Sequence, residues 1–121
     1  MSDKTLNDYS MFESLKHTTK NNHVYWEARE LQKALGYDDW RNFDSVIYKA
    51  IQECRNQNKK VRNHFIRCKR YVGTPIGYHQ RVVDFKLSKY ACYLIAKNGY
   101  SKKEKVLLGR EYFYNEIKNG S

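Results

Sequence analysis

Two segments decide the fold: HFIRCKRYV at residues 64–72 and YHQRVVDFK at residues 78–86, with the loop GTPIG at residues 73–77 between them. Both segments are rich in β-branched and aromatic residues, and the glycines and proline of the loop are typical of a turn. The sequence therefore predicts an antiparallel β-hairpin. Apolar and polar residues alternate imperfectly in the first segment, so the pairing register stays open.

Positive charge is concentrated around this hairpin. The 121 residues include 23 Lys or Arg and 13 Asp or Glu, a formal net charge of +10. Residues 1–54 carry a net charge of −2, whereas residues 55–81 contain eight basic residues and no acidic one. Such a stretch attracts polyanions, because cations that neutralise phosphates release condensed counterions. We therefore expect a nucleic-acid partner; the alternative is a solvated surface that keeps the protein soluble. A membrane surface fits less well, since no basic amphipathic helix is visible.

A short strand and two helices are predicted before the hairpin. Residues 23–26 have the composition of a strand, and the helical apolar spacing that follows stops at Gly36, which is typical of a helix C-terminus. Asp38 or Asp39 can cap the next helix, whose apolar stripe covers residues 40–54. The two helices could form a helix–turn–helix-like pair. Two ordinary core helices are at least as good an interpretation, because the second carries a mixture of acidic and basic residues on its polar face.

Two further helices are predicted after the hairpin. Ser88 can cap the first of them, and Ser101 with Glu104 forms a capping-box pattern at the start of the second. Gly109 in the middle of that helix indicates a close helix contact. The expected class is α+β, a small single domain with about four to five helices packed around a two- to three-stranded antiparallel hairpin sheet. It would span residues 1–121, with an ordered core at about residues 12–117.

Groups that could support catalysis do not converge in the sequence. The four histidines are scattered, without partners at zinc-finger spacing, and the glycine-rich nucleotide-binding motifs are absent. Asp38, Asp39 and Asp84 could be imagined as a nuclease metal site, but adjacent aspartates after a helix end are better explained as caps. We therefore expect a binding module that is not an enzyme and has no metal and no cofactor, with a minimal nuclease as a distant third interpretation.

Two tyrosines, Tyr71 and Tyr78, flank the loop beside Arg70 and Arg81. An aromatic ring among arginines can stack on an unpaired base. Ordinary cross-strand packing explains the two tyrosines equally well. Both interpretations stay open at this point.

The remaining composition bears on location. The longest apolar runs fall far short of the ~18–20 residues needed to span a bilayer, and the N-terminal stretch MSDKTLNDYS lacks the features of a secretory signal. The three cysteines, Cys54, Cys68 and Cys92, are an odd number and widely spaced, which predicts free buried thiols in a reducing compartment. We therefore expect a cytoplasmic protein with no membrane partner.

Two long runs resemble the DNA-damage-inducible protein D family. They are YWEARELQKALGY at residues 25–37, followed by WRNF at residues 40–43, and DFKLSKYACYLIA at residues 84–96. The resemblance extends from about residue 12 to residue 117. More distantly, a helix ending in Leu-Gly-Tyr, a hairpin and two helices are similar to the BRO family N-terminal (BRO-N) domain, which with the KilA-N domain occurs in phage antirepressors and large DNA virus proteins.

The resemblance implies a DNA-associated, non-enzymatic role in a bacterial cell or a phage-infected host. Members are linked to the SOS response and to RecA-type recombinase filaments, and phage antirepressors free lytic genes by binding a repressor. The family usually continues past residue 121, and a function of such a C-terminal region would lie outside this chain. Because the family's loop between Lys69 and Val83 is variable, the arginines there are assigned by charge alone.

We expect a DNA-binding regulatory module, antirepressor-like or DNA-damage-response-like, that contacts phosphates through the basic hairpin. The expected phosphate ligands are Lys59, Lys60, Arg62, Arg67, Lys69, Arg70, Arg81, Lys86 and Lys89. The alternative is a protein-interaction module that binds and inhibits a repressor or a RecA-type recombinase. A homodimer is compatible with either, and the sequence leaves the DNA strand preference open.

Overall fold

Four antiparallel strands in the order β1-β2-β4-β3 form the sheet of this α+β domain. The computed structural model describes residues 9–119. Strands β1 (His17–Thr18) and β2 (Val24–Glu27) precede the long hairpin of β3 (Phe65–Gly73) and β4 (His79–Leu87). The predicted hairpin is confirmed, and each of its strands begins and ends one residue later than predicted. The prediction of two or three strands was wrong because β1, with two residues, is too short to carry an alternating pattern.

Five α-helices accompany the sheet in the described part of the chain, within the predicted range of four to five. The first, α1, is described for residues 9–14. The others are α2 (Ala28–Ala34), α3 (Trp40–Asn56), α4 (Lys89–Lys97) and α5 (Glu104–Asn119). A short 3-10 turn at Val61–Asn63 leads from α3 into the hairpin.

Local capping determines where these helices begin and end. Gly36 adopts a left-handed φ of +82° just after α2, as its position at a helix end predicts. The Asp39 carboxylate accepts a hydrogen bond from the second N–H of α3, and the Ser88 hydroxyl accepts one from the third N–H of α4. The predicted capping box was wrong: α5 begins at Glu104, so this residue is the first of the helix instead of the third, and Ser101 lies in the preceding turn.

The core lies between the helices and the inner face of the sheet. Trp26 of β2 is fully buried and meets the ring of Phe113 edge-on, with 5.0 Å between ring centroids. Phe12 of α1 packs on the same cluster, and the base of the hairpin contributes Phe65 and Leu87. The basic hairpin is therefore anchored in the core at its base, and its strands extend from there toward the loop.

The predicted close contact at Gly109 is present. A Cβ atom built there would lie 2.5 Å from Leu35 Cδ2 and 3.3 Å from Phe12 Cζ. Both distances are shorter than ordinary van der Waals contact, so α5 approaches the end of α2 closely only because residue 109 has no side chain.

All three cysteines are free, as predicted, and Cys54 and Cys92 are buried, whereas Cys68 is half-buried. Burial raises the pKa of the Cys92 thiol well above its ordinary value. Within residues 9–119, the helices are too short or too polar to cross a membrane.

Candidate nucleic-acid interface

The pairing of β3 with β4 assigns each hairpin side chain to one of two faces. Nine residue pairs, from Phe65 with Leu87 to Gly73 with His79, run along the ladder without a bulge. Directly paired residues share a face, and successive residues along a strand alternate between faces. Beyond the buried base, the first face, here called the basic face, carries Arg67, Lys69, Tyr71, His79 and Arg81. The second, the carboxylate face, carries Arg70, Asp84 and Lys86 together with Glu27 of the adjacent strand β2.

The basic face holds exposed cations without acidic neighbours. Arg67, Lys69 and Arg81 are all exposed, and none of them forms an ion pair within the described part of the chain. Arg67 and Lys69 are alternate residues on one strand, so their Cα atoms are about 6.6 Å apart. This face therefore presents a short, unneutralised row of positive charge.

On the carboxylate face, Arg70 is neutralised, whereas Lys86 is exposed and forms no ion pair within the described residues. Arg70 Nη1 donates to Asp84 Oδ2 at 3.1 Å and to Glu27 Oε1, so one guanidinium serves two carboxylates. Asp84 is fully buried and also accepts the backbone N–H groups of Arg29, at 3.0 Å, and of Phe85, at 2.8 Å. Partial burial lowers the pKa of the Arg70 guanidinium, but Glu27 and Asp84 outweigh it and the pKa is raised. Arg70 is thus committed to holding the hairpin on the core.

A second arginine fastens the hairpin from α2. Arg29 Nε donates to the carbonyl of Val83 at 2.8 Å, and its guanidinium lies 4.1 Å from the centroid of the Trp40 ring. Neither Arg29 nor Glu27 was among the predicted site residues. A signal existed in the sequence, because Asp84 stands within the otherwise apolar stretch VVDF, and a buried carboxylate requires hydrogen-bond donors.

The other predicted ligands lie at the base of the hairpin. Lys59, Lys60 and Arg62 are exposed in the segment that leads into β3, with Lys59 Nζ 5.7 Å from the centroid of the Tyr90 ring. Lys86 is on the carboxylate face, 5.4 Å from the centroid of the Tyr25 ring. Lys89 is half-buried, and its Nζ donates to the carbonyl of Glu116 at 3.2 Å. The structure brings together Arg67, Lys69 and Arg81 and places Arg70, Lys86 and Lys89 elsewhere.

The tyrosines beside the hairpin loop are exposed. Tyr71 and Tyr78 each have 69% of their surface accessible, and among residues 9–119 neither has another ring packed against it. Cross-strand aromatic packing therefore does not account for them. Their rings are accessible to a partner.

Helices α2 and α3 flank Gly36 as predicted, but their side chains favour the interpretation as core helices. The buried residues of α3 form the apolar stripe that faces the core. On its polar side, Glu53 is engaged by Lys97 Nζ and by Asn98 Nδ2, the latter at 2.9 Å. Such a surface suits phosphate contact poorly.

One group of side chains has the composition of a metal site. The ligand atoms of His17, Glu27 and Glu30 lie within 4.8 Å of one another, and His17 Nε2 is 2.8 Å from Glu30 Oε1. Arg70 also donates to Glu27, so this carboxylate has a cationic partner in the protein itself. The aspartates considered for a nuclease have separate structural roles: Asp39 caps α3, and Asp84 is buried under Arg70.

Comparison with known proteins places these features in a family. The sequence profile described as "BRO family, N-terminal domain" matches residues 14–114. The DNA damage-inducible protein D of Escherichia coli (strain K12) is 34% identical over 102 residues, which cover 84% of this chain and 37% of that protein. The chain thus spans little more than a third of the length of this relative. No solved structure matches the chain significantly. The chain belongs to the family of BRO N-terminal domains.

Proposed function

We propose that this domain is a DNA-binding regulatory module that contacts phosphates through the basic face of its hairpin. The observation that carries the proposal is the partition of charge between the two faces. Arg70 on one face is neutralised by Glu27 and Asp84, whereas Arg67 and Lys69 on the other are exposed and form no ion pair within residues 9–119. A surface that served only solubility would not need its acidic groups collected on one side.

The shape of the hairpin supports this proposal. Between Lys86 and the loop, strand β4 pairs only with β3, so this outer part of the hairpin is a two-stranded ribbon. A ribbon of this width fits a DNA groove. Arg67, Lys69 and Arg81 are the proposed principal phosphate ligands. Lys59, Lys60 and Arg62, which are exposed in the segment that leads into β3, are proposed as supporting ligands, as are Lys86 and Lys89, which would contact the DNA backbone from outside the basic face. Arg70 is reassigned from phosphate contact to positioning the hairpin.

The test is a fluorescence-anisotropy titration of labelled duplex and single-stranded DNA at several salt concentrations. Phosphate contacts position a protein without reading sequence, so Arg67→Glu with Lys69→Glu should weaken binding to all sequences alike. The slope of log K against log salt should become shallower by about 1.8, since each lost phosphate contact on duplex DNA contributes about 0.9. The control is Lys49→Glu with Lys102→Glu, the same change of charge at exposed lysines outside the hairpin. Equal affinities for the two double variants would refute the proposal.

We further propose that the role is non-enzymatic and either antirepressor-like or connected with the response to DNA damage. Membership of the BRO N-terminal family and the identity with DNA damage-inducible protein D support it. The expected result is that plasmid and single-stranded DNA stay intact on incubation with the protein and Mg²⁺ or Mn²⁺. Metal-dependent cleavage would contradict it.

The second candidate is a protein-interaction module that binds and inhibits a repressor or a RecA-type recombinase. The exposed rings of Tyr71 and Tyr78 favour it, because exposed tyrosines often anchor protein interfaces. A pull-down in which a stoichiometric protein partner survives nuclease treatment would support this candidate over DNA binding. The stoichiometry of the DNA complex would also reveal a homodimer, which would double the number of phosphate contacts per complex and steepen the salt dependence.

A further inference from the structure

We propose that the hairpin tip, Pro75 with Ile76, is an apolar wedge that enters the minor groove of duplex DNA, inserts between two base pairs and bends the duplex. This inference rests on the proposed DNA binding and specifies its substrate as duplex DNA that can be unstacked at one step. It assigns the tip a role separate from that of the cations on the basic face.

Hydrogen bonds hold the tip in one shape. Thr74 N donates to the carbonyl of Tyr78 at 2.8 Å, and Gly77 N donates to the carbonyl of Thr74 at 3.0 Å. The Thr74 hydroxyl also accepts the N–H of Tyr78 at 3.1 Å. Gly77 has a φ of +91°, the left-handed residue that closes a three-residue hairpin loop. With the proline ring restricting the backbone as well, the wedge is formed before it meets a partner.

The apolar surface at the tip is unusually exposed. Ile76 has 79% of its surface accessible, more than any other large apolar side chain between residues 9 and 119. Pro75 is also exposed, and Tyr71 and Tyr78 stand close behind. Single exposed apolar residues are normal on a protein surface. The four side chains at the end of this ribbon form a surface that has no partner among residues 9–119.

The length of the ribbon allows the tip to reach a groove floor. Within the described residues, the hydrogen bonds between the hairpin and α2 that lie nearest the tip are those of Arg29 with Val83 and Asp84. From Val83 to His79 the strand extends about 13 Å, at roughly 3.3 Å per residue. The minor groove of B-DNA is about 7.5 Å deep. The tip can therefore enter the groove while the domain remains outside the duplex.

The charges behind the tip favour DNA as its partner. Arg81 and His79 share the basic face with Lys69, so the apolar end is followed by cations and by no carboxylate on that face. Proteins that bend DNA from the minor groove combine these two elements: basic side chains hold the backbones, and an Ile or Pro wedge unstacks one step. Pyrimidine–purine steps unstack most easily, so the wedge should prefer TA or CA steps.

The experiment uses a 30-base-pair duplex with a donor and an acceptor dye at its ends and 2-aminopurine beside a central TA step. Binding of the unmodified protein should raise energy transfer between the dyes and raise 2-aminopurine fluorescence. Ile76→Ser should abolish both changes while lowering affinity by roughly tenfold or less, because the lost burial is offset by the unstacking that no longer occurs. The salt slope should stay the same. Leu107→Ser, at an exposed position of α5, is the matched control and should behave like the unmodified protein. Ile76→Phe should retain the bend.

The outcomes separate the wedge from phosphate binding. If the protein binds DNA with the predicted salt dependence but the duplex stays straight, the wedge is overturned and the proposed function stands. The same conclusion follows if Ile76→Ser bends DNA as well as the unmodified protein does. If the protein does not bind DNA, both are overturned. If Ile76→Ser loses a protein partner while its effect on DNA is unchanged, the tip is a protein anchor and the wedge is overturned.

Discussion

Replacing Arg70 by Met should destabilise the domain far more than replacing Arg67 by Met. The two arginines are separated by three positions on one strand, and the chemical change is the same. Arg70 donates to the buried carboxylate of Asp84 and to Glu27, whereas Arg67 has no ion pair within the described range. The comparison therefore isolates the role of the carboxylate face.

The expected loss of stability depends on the hydrogen bonds that Asp84 keeps after Arg70 is replaced. Removing one partner of a buried ion pair costs about 3–5 kcal/mol when the remaining charge is left alone. Here Asp84 keeps the N–H groups of Arg29 and Phe85, and the Arg70 side chain is 36% exposed, so solvent already screens its charge. The loss is then close to that of one hydrogen bond to a charged group, about 2 kcal/mol. For a domain of this size we expect the melting temperature to fall by roughly 6–10 °C. Arg67→Met should cost less than about 0.5 kcal/mol.

The assay is urea and thermal denaturation followed by circular dichroism, paired with DNA titration of the same two variants. Arg67→Met should weaken DNA binding and leave stability unchanged, while Arg70→Met should lower stability and leave the salt slope unchanged. The double variant Arg70→Met with Asp84→Asn should cost less than the sum of the single changes, because the two residues interact. Equal stability of the Arg67 and Arg70 variants would refute the assignment of Arg70 to positioning.

Three further outcomes are expected, each measured by chemical denaturation. Gly109→Ala should destabilise by about 1–3 kcal/mol despite the better helix propensity of alanine, because its Cβ would lie 2.5 Å from Leu35 Cδ2; an increase in stability would contradict the close contact. Asp39→Ala should cost about 1 kcal/mol through loss of the α3 cap, and Asp39→Ser should restore most of it. Burial, and then the charge of Lys59, lower the pKa of His64. Between the lowered pKa of folded His64 and about 6.5, the unfolded chain therefore binds more protons than the folded one. The free energy of unfolding should fall as the pH falls through this window. If the His64→Gln variant lost as much stability between pH 7 and pH 5 as the unmodified protein, His64 would not be the cause.

The elements of the fold that carry a distinct sequence signal were predicted, and those with a very short or ambiguous signal were not. The hairpin and the helix ends at Gly36, Asp39 and Ser88 each carry their signal within a few residues. Strand β1 was missed although its partner β2 is close in sequence, because two residues are too few to carry an alternating pattern. The capping-box pattern at Ser101 was misleading because a turn in which Lys103 N bonds the Tyr100 carbonyl separates it from the helix.

The same limit explains what was predicted of the site. The number of basic residues in the hairpin is a property of composition and was visible. Which of them are free depends on the register, since Arg67 and Arg70 fall on opposite faces only once the pairing is known. It also depends on Glu27, which lies 43 residues before Arg70 and meets it only through the pairing of β2 with β4. Imperfect alternation in β3 concealed the pairing register, and the distance in sequence concealed the contact between Glu27 and Arg70.

The basic face and the carboxylate face are formed by alternate residues of the same strands. This alternation also constrains which insertions and register shifts the hairpin can accept. Two residues added to each strand would lengthen the ribbon by about 6.6 Å and leave every existing side chain on its face. A one-residue shift in the register of β3 would move its cations to the opposite side and set Arg67 and Lys69 toward the carboxylates. Inserting residues in pairs therefore changes the length of the ribbon and the position of its tip without moving any charge to the other face. A shift by an odd number of residues would exchange the charges of the two faces. A hairpin built this way can change its target through its length and its loop, independently of the charges that hold it to the domain.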